Sequence, residues 1–377
     1  MTIPFKSFYF IYYIYVAAVS YLYIYFTDIG ISATQLGIMN SIAKSLAIIT
    51  IPVWGMLADY YSATKRVLQI ALFGVLLAQL AFLTTELFWL VFFIYIFHAL
   101  CEGPIASLND SLLISNLGER ASEYGKYRAL GSLSYLLFVT PFGFIIERTS
   151  TRTLFFITGF ALLIAVLNTT KLPEARKNVR VSRFADFKVL IHNKELLHFL
   201  IFTFFTQLTL MGHFTYFPIL FKEIGGGETL YGVASFLGAA SELLIFQKSD
   251  LIFKRFKQKT IFLVSSLAFT LRWFLVATFQ VPHILLLSQL LHSLTYGLFY
   301  VTAVNYIAHI VKEEFRATGQ NLYASTISIS SVLSSLVGGF IFDNLGSRTL
   351  YLLGSFIALT AGLAYYYKQV KSEQSLA

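Results

Sequence analysis

Apolar segments of about 20 residues follow one another along almost the whole chain and restrict it to a membrane-spanning fold. A hydrocarbon core about 30 Å thick is crossed by ~20 apolar residues in helical conformation. Hydrophobic residues make up 57% of the chain and charged residues 12%, and a water-soluble domain would carry roughly twice that charge. Membrane-spanning strands would instead appear as alternating stretches of about 10 residues. The sequence therefore predicts an all-α membrane protein.

Twelve transmembrane helices are predicted. The first segment could be taken for a signal peptide, but it is too long, lacks a small-residue cleavage site and leads directly into the next segment. The predicted helices are 8–26, 33–58, 67–84, 88–113, 127–146, 153–170, 196–221, 229–247, 260–278, 283–309, 318–341 and 348–367.

A long polar interval, 171–195, divides these segments into two sets of six. The two flanks resemble each other: GFIIERTSTRTLFF (143–156) recurs as GFIFDNLGSRTLYL (339–352), 196 residues later. An internal repeat of this kind predicts two pseudo-symmetric six-helix bundles, 1–170 and 196–377, joined by a basic cytoplasmic linker. The basic residues of the linker are Lys171, Arg176, Lys177, Arg180, Arg183, Lys188 and Lys194.

The net charge of +9 is explained by the membrane topology and does not indicate nucleic-acid binding. With the N-terminus placed in the cytoplasm, most Lys and Arg residues fall on the cytoplasmic side, as the positive-inside rule requires. The exceptions are Arg148, Arg152, Lys222 and Arg348 outside, and Lys44 and Arg272 within helices. We therefore predict a multi-pass plasma-membrane protein with both termini cytoplasmic. The single cysteine, Cys101, excludes an intramolecular disulfide.

Two ionisable residues lie near the middle of predicted helices in the first half, Lys44 and Glu102. A lysine at the bilayer centre costs about 2.5–3.5 kcal/mol on insertion scales, so it should face a partner or water. A purely structural pair and a functional one fit equally well, and we include both residues among candidates for proton coupling.

A second polar group combines Asp110 at the end of the fourth helix with Arg128 at the start of the fifth. A short loop between antiparallel helices would bring them to similar depth. A carboxylate and a guanidinium there suit bidentate recognition of hydroxyls or a carboxylate. The alternative is a solvated pair at the membrane face.

Glu242, Arg272 and His292 lie at similar depth in helices of the second half. Three buried ionisable groups of mixed sign are expected to contact one another around a wet cavity. Their chemistry suits a proton relay, since burial favours protonation of a carboxylate and a nearby arginine opposes it.

The connection after the second helix, GMLADYYSATKRV (55–67), resembles the signature of the major facilitator superfamily, and KSDLIFKRFKQK (248–259) repeats it loosely. Glycine permits close helix approach, and the aspartate and basic pair can form a cytoplasmic charge link. The residues predicted to form this conformational gate are Gly55, Asp59, Lys65, Arg66, Asp250 and Arg316.

The stretch YGKYRALGSLSYLL (124–137) resembles the helix-5 motif of the lactose permease superfamily, especially its 3-phenylpropionate-transporter-like branch, as does FRATGQNLYAS (315–325). The resemblance implies that Asp110 and Arg128 hold the substrate and that Tyr135 stacks on it. LMGHFTYFPILFKEIGG (210–226) resembles the helix-7 pattern of the branch, which adds His213, Tyr216 and Phe217 as candidate substrate-binding residues. A helix-packed histidine is the alternative for His213.

The spacing of Arg272 and His292 equals that of the matching pair in lactose permease, but two charged positions of the permease differ. Its helix-10 acid is replaced here by Thr295, and the lysine three residues before its histidine by Gln289. The coupling proton must therefore be carried by another group, and we choose Glu242 or Glu102.

These features favour a proton-coupled secondary transporter that takes up a small organic solute by alternating access. A saccharide, a nucleoside and an aromatic carboxylate remain open as substrates, and neither cofactor nor metal is predicted. We expect a monomer in the lipid bilayer. The alternatives are an efflux antiporter, a polytopic transferase and a sensor or scaffold. Against the transferase, Asn109-Asp110 is the only approach to a paired-aspartate cluster in the sequence.

Overall fold

The computed structural model describes residues 2–175, 190 and 192–374. Six helices lie before the polar interval, and two of them are each divided into two segments. They are α1 (Thr2–Val19 and Leu22–Asp28), α2 (Ala33–Tyr60), α3 (Thr64–Ala81), α4 (Phe88–Glu102 and Ile105–Leu117), α5 (Tyr124–Arg148) and α6 (Thr153–Thr169).

Six further helices follow: α7 (Lys194–Glu223), α8 (Glu228–Arg255), α9 (Gln258–Thr278), α10 (Pro282–Ser288 and Leu298–Ile310), α11 (316–345) and α12 (347–374). The last two form one nearly continuous run, Arg316–Gln374, interrupted at Gly346, whose φ is 82°. That left-handed conformation favours glycine, which explains why the chain turns between helices at this residue.

All twelve predicted helices are present in the described part of the chain, and the predicted all-α fold is confirmed. Three breaks were not predicted, and the first divides α1 between Val19 and Leu22. In α4 the helix is interrupted before Ile105, where Pro104 lacks the N–H that the backbone ladder needs. In α10 a 3₁₀ turn (Gln289–Leu291) and a π-helical turn (Ser293–Gly297) separate the two α-helical segments.

Large apolar side chains remain exposed along the helices. Phe93, Phe160 and Phe356 are each about two-thirds exposed, at 64%, 67% and 65%. Apolar surface on this scale is stable only against lipid, where helices also satisfy their own backbone hydrogen bonds. The chain is therefore an integral membrane protein.

The chain divides into two compact units. Unit 1 contains the described residues of Met1–Ile31, Met39–Arg180 and Gly227–Gly232, and unit 2 those of Ser32–Ile38, Val181–Gly226 and Val233–Ala377. Each half of the chain thus gives one short segment to the unit built mainly by the other half. Much of the predicted linker, 176–189 and 191, lies outside the described residues, so the predicted bundle boundaries stay a prediction.

Helix α1 lies at the centre of unit 1, where it packs against α5 and α6. Several of its tyrosines are buried, and their hydroxyls are used: Tyr21 donates to the carbonyl of Val139 at 2.6 Å and Tyr25 to that of Phe82 at 3.2 Å. In unit 2, α7 takes the equivalent position and packs against the α11–α12 run. The two units therefore repeat one packing scheme, with the first helix of each half in the middle.

Candidate functional site

The most concentrated buried polar cluster of unit 2 centres on Arg272 of α9, whose side chain is 0% exposed. Its Nη1 lies 2.9 Å from His292 Nδ1 and 3.0 Å from Thr295 Oγ1. Its Nη2 lies 2.5 Å from Gln289 Oε1 and 3.2 Å from His213 Nε2. The predicted Arg272–His292 contact is present in this structure, and α7, α9 and α10 all contribute to the cluster.

Glu242 of α8 extends this cluster through His292, whose Nε2 lies 2.7 Å from Glu242 Oε1. Arginine only donates hydrogen bonds, so His292 Nδ1 must accept from Arg272. The proton of His292 then resides on Nε2 and is donated to the carboxylate. A neutral imidazole therefore bridges the guanidinium and the carboxylate.

Close packing of α8 and α10 makes this contact possible. A Cβ added to Gly297 of α10 would lie 3.5 Å from Glu242 Cγ, and one added to Gly238 of α8 would lie 3.6 Å from His292 Cδ2. The π-helical turn Ser293–Gly297 adds a second adjustment, since it follows directly on His292 and contains Thr295. Such turns recur at functional sites because they re-aim side chains within a helix.

His213 of α7 forms the other end of the cluster. Its Nε2 accepts from Arg272, so its Nδ1 carries the proton and donates to the hydroxyl of Tyr351 on α12 at 3.0 Å. Phe217 covers His213, with ring centroids 4.5 Å apart. Tyr216 points elsewhere, and its hydroxyl donates to the backbone carbonyl of Ser335. His213 thus joins the Arg272 cluster, whereas Tyr216 fastens α7 to α11.

A cavity of about 160 Å³ adjoins His213 and Tyr351 in unit 2, and its lining is almost wholly apolar. Trp273 and Gly354 form part of its wall. The ring of Trp273 also lies 4.6 Å from that of His213, centroid to centroid. The cavity offers room beside the cluster and few hydrogen-bonding groups.

In unit 1, Asp110 of α4 is held by tyrosines. Tyr124 donates to its Oδ2 at 2.9 Å, and Tyr9 donates to its Oδ1. Arg128 of α5 instead lies over the ring of Tyr13, 4.5 Å from the centroid. Within the described residues, the predicted Asp110–Arg128 pairing is thus not a direct ion pair in this state.

Gly131 explains why Arg128 meets Tyr13. A Cβ at Gly131 would overlap the ring of Tyr13, so glycine lets α5 approach α1 at this level. Arg128 stands one turn earlier on the same face and covers the ring. Tyr135, one turn later, lies 3.4 Å from Ser20 Oγ through its hydroxyl. Arg128 and Tyr135 therefore share one half-buried face of α5 beside α1.

Lys44 and Glu102 are both half-buried in unit 1, on α2 and α4. The two helices touch nearby, since a Cβ at Gly103 would lie 3.3 Å from Ile51 Cγ1. Their proposed part in proton coupling stays a prediction.

Unit 1 also contains a neutral counterpart of the Arg272 cluster. His98 Nε2 of α4 lies 2.8 Å from the Tyr15 hydroxyl of α1 and 3.1 Å from Gln79 Nε2 of α3, and Thr158 of α6 donates to Gln79 Oε1 at 3.1 Å. The first, third, fourth and sixth helices of each half are thus linked by buried polar groups. Of these two described clusters, the one in unit 2 includes an arginine and a carboxylate.

The predicted gate residues mostly lie at exposed ends of helices. Lys65 is the best fastened: its Nζ donates to the carbonyl of Thr170 and its backbone N–H to Glu174 Oε1, both at 2.8 Å. These contacts tie the α2–α3 turn to the end of α6.

Among the remaining gate residues, Arg316 contacts Ala308 and Glu313. Open space surrounds Gly55, and Asp59, Arg66 and Asp250 are exposed. Arg316 Nε donates to the carbonyl of Ala308 at 3.1 Å. A gating role for this set stays a prediction.

Gln289, Thr295 and Tyr351 are the cluster members that the sequence analysis did not select. Gln289 and Thr295 replace charged residues of lactose permease and were noted only for that difference. Their hydrogen-bonding side chains at helix-turn spacing from His292 were the available signal. Tyr351 has no comparable signal, because contact with His213 depends on how α7 and α12 pack.

Comparison with known proteins places the chain among membrane transporters. A family described as the MFS_1-like family matches residues 2–353. The chain belongs to this family. The family and the relatives of this chain are transporters of the major facilitator superfamily and not enzymes, as predicted.

Three relatives of this chain carry different names. An uncharacterized transporter of Bacillus subtilis, YwbF, is 27% identical over 89% of this chain and 85% of its own. A maltose permease of Geobacillus stearothermophilus is 24% identical over 88% and 85%. A probable 3-phenylpropionic acid transporter of Escherichia coli is 23% identical over 78% and 77%. The predicted resemblance to this branch is confirmed.

Among solved structures, a mutant form of the nucleoside transporter NupG matches with a TM-score of 0.85. The match covers 96% of this chain and 98% of that one at 16% identity. At that identity the likeness concerns the fold, and it confirms the predicted major facilitator architecture.

Proposed function

We propose that this protein takes up a small organic solute by proton-coupled symport, with alternating access between two states. Substrate candidates are a saccharide, a nucleoside and an aromatic carboxylate. Relatives named for maltose and 3-phenylpropionic acid and the fold of a nucleoside transporter support this range. The proposal includes cytoplasmic termini and a monomeric carrier in the plasma membrane.

The observation that carries the proposal is the series of side-chain contacts from Glu242 through His292 to Arg272 inside a membrane-spanning unit. A buried carboxylate and guanidinium are costly in a membrane, and they persist there mainly where function requires them. A proton accepted by His292 Nδ1 would place two cations in contact at 2.9 Å. Of these three residues, Glu242 is therefore the best suited to accept the coupling proton.

Arg272 provides the means of releasing that proton. Among the described residues, no acceptor pairs with its Nε, which is fully buried. An unpaired buried donor is costly, so a second arrangement in which a carboxylate reaches this N–H is favourable. Direct approach of Glu242 to the guanidinium would favour the ionised carboxylate and release the proton.

Unit 1 supplies the groups proposed for substrate recognition. Arg128 presents donors beside a tyrosine face, and Asp110 presents acceptors that two tyrosine hydroxyls now occupy. Ring stacking together with hydroxyl or carboxylate recognition fits each of the three solute classes.

Uptake into proteoliposomes tests the proposal. We expect a labelled nucleoside, disaccharide or aromatic acid to accumulate when the outside is acidic and the inside is negative, and to equilibrate without accumulation when a protonophore is present. A potential of 100 mV supplies about 2.3 kcal/mol to one inward charge, which corresponds to ~50-fold accumulation of a neutral solute. Accumulation driven only by an outward-directed proton gradient would instead identify an efflux antiporter. Binding with no flux under any gradient would identify a sensor.

A further inference from the structure

Three glycines line the apolar cavity of unit 2, and helix packing requires a glycine at only one of them. A Cβ added to Gly338 of α11 would overlap the ring of Tyr216. A Cβ added to Gly212 of α7 would lie 3.8 Å from the nearest atom of a neighbouring helix, and one added to Gly354 of α12 would lie 3.5 Å from Trp273 Cδ1. Both are ordinary van der Waals distances. The absence of a side chain at these two positions therefore leaves part of the cavity open.

The mouth of the cavity faces the hydrocarbon core of the membrane. Three of its lining residues, Leu333 and Val337 of α11 and Leu353 of α12, belong to the exposed apolar surface of unit 2. Trp273 and Tyr351, which also line it, are buried. Exposed apolar surface on membrane helices is covered by lipid, so a molecule dissolved in the bilayer can enter between α11 and α12.

Tyr351 provides a hydrogen-bond donor that is not used inside the protein. Its oxygen accepts from His213 Nδ1 at 3.0 Å, and its hydroxyl hydrogen has no acceptor among the described residues. Other polar groups of the lining have partners. Thr209 Oγ1 accepts from Trp273 Nε1 at 2.9 Å, and Ser334 Oγ donates to a carbonyl of its own helix at 3.2 Å. The cavity thus combines an apolar wall with one available donor.

The size and chemistry of the cavity define its occupant. An apolar cavity of about 150 Å³ stays free of water and binds benzene, and this one measures about 160 Å³. Asp, Glu, Lys and Arg are absent from its described lining, so a charged occupant would be costly. A lipid acyl chain would fill the space but leave the hydroxyl hydrogen of Tyr351 unpaired. An uncharged, ring-sized molecule with one acceptor fits both the space and the donor.

We propose that this cavity is a binding site for an uncharged aromatic compound with one hydrogen-bond acceptor, such as an aryl ketone, which enters from the bilayer. The ring of the ligand lies against Trp273, and its oxygen accepts the hydroxyl hydrogen of Tyr351. Tyr351 accepts in turn from His213, and His213 from Arg272. An occupant is therefore connected to the Arg272 cluster through consecutive hydrogen bonds, although its binding does not depend on the proposed symport.

Equilibrium binding of radiolabelled acetophenone to the full-length protein in lipid nanodiscs tests the site, with empty nanodiscs measured to subtract partition into lipid. We expect saturable binding at one site per protein. The matched competitor is α-methylstyrene, which has a methylene group in place of the carbonyl oxygen and nearly the same shape. At equal concentration in the lipid it should compete about tenfold more weakly. Tyr351→Phe should weaken acetophenone binding by about tenfold and remove its advantage over the hydrocarbon.

A cavity-filling substitution locates the site. Gly354→Val places a side chain in the cavity and should abolish saturable binding. Gly159→Val in α6 is the matched control, since a Cβ there would lie 3.8 Å from Leu76 Cδ1, and it should bind acetophenone as the wild type does. If either valine variant does not fold, alanine at the same two positions replaces it, and Gly354→Ala should weaken binding by roughly threefold or more.

Three results would overturn the proposal. Absence of saturable binding, or wild-type binding in the Gly354 variants, would show that the cavity is not the site. Unchanged affinity in Tyr351→Phe would exclude the hydrogen bond. Equal competition by α-methylstyrene would assign the cavity to any apolar occupant, an acyl chain included. Since no solute or proton gradient is used, failure here is separate from failure of the proposed symport.

Discussion

The neutral imidazole between Glu242 and Arg272 decides what each residue of the cluster can do. His292 donates to the carboxylate through one ring nitrogen and accepts from the guanidinium through the other. A charge on Glu242 is therefore stabilised through a bridge rather than by direct contact, and protonation of the carboxylate leaves every other hydrogen bond of the cluster in place.

Glu242→Gln should abolish concentrative uptake and retain solute binding and counterflow exchange. The amide imitates the protonated acid, and its oxygen still accepts from His292 Nε2. Proteoliposome uptake and counterflow on the same preparation measure both steps. Glu102→Gln is the matched comparison: accumulation at normal rates in Glu242→Gln and its loss in Glu102→Gln would move the proton site to Glu102.

Arg128→Lys should weaken solute binding by about tenfold or more while the protein still folds. Lysine retains the charge but loses the planar fork and the stacking of the guanidinium on Tyr13. Titration with the solute identified in the uptake assay measures the change. Lys126→Arg, on the exposed start of the same helix, is the control, and an unchanged affinity in Arg128→Lys would make the Tyr13 contact purely structural.

Members of the candidate site were predictable from the sequence where a buried charged group in a membrane is costly. Arg272, His292 and Glu242 stood out because ionisable groups in apolar helices need partners. The partners themselves were less predictable: Asp110 meets tyrosines instead of Arg128, and Tyr351 joins His213 through helix packing. Tyrosine is common in this chain, so the presence of a tyrosine in a helix does little to identify it as a partner of a buried polar residue.

At the scale of helices, the length of each apolar segment predicted correctly that a helix is present. It did not predict where a helix is interrupted. Pro104 lies where α4 is interrupted. Three other prolines lie inside helices that continue through them: Pro52 in α2, Pro141 in α5 and Pro218 in α7. Neighbouring helices in a membrane can satisfy the freed backbone groups, so proline alone does not decide. The π-helical turn in α10 contains Thr295, which contacts Arg272 of α9, and no local sequence pattern encodes such a contact between helices.

The α2–α3 turn gives a prediction at this scale. Asp59→Asn should change the transport rate more than the affinity, since Asp59 is exposed beside a turn that Lys65 fastens to α6. Initial rates and equilibrium binding of the same solute separate the two effects. Lys65→Met, which removes the contact with Thr170, should change the rate in the same direction. A tenfold change in affinity at a normal rate would place Asp59 in the binding site instead.

The topology of the whole molecule is tested by thiol labelling in intact cells. In a Cys101→Ala background, a cysteine at Ser150, in the α5–α6 turn, should react with an impermeant maleimide from outside. One at Ser182, in the predicted linker and beyond the described residues, should react only after permeabilisation. The expectation comes from the distribution of Lys and Arg. Labelling of both from outside would contradict it.

Gly346 joins two parts of unit 2. Asp343 lies three residues before it and holds the start of α2, while Tyr351 lies five residues after it and accepts from His213. Gly346 is the single residue at which the helical run of α11 and α12 is interrupted, and both contacts lie close to it. The contact of Tyr351 with His213 and the contact of Asp343 with the start of α2 are therefore only eight residues apart along the chain, so the Arg272 cluster and the start of α2 are connected through one short stretch around Gly346.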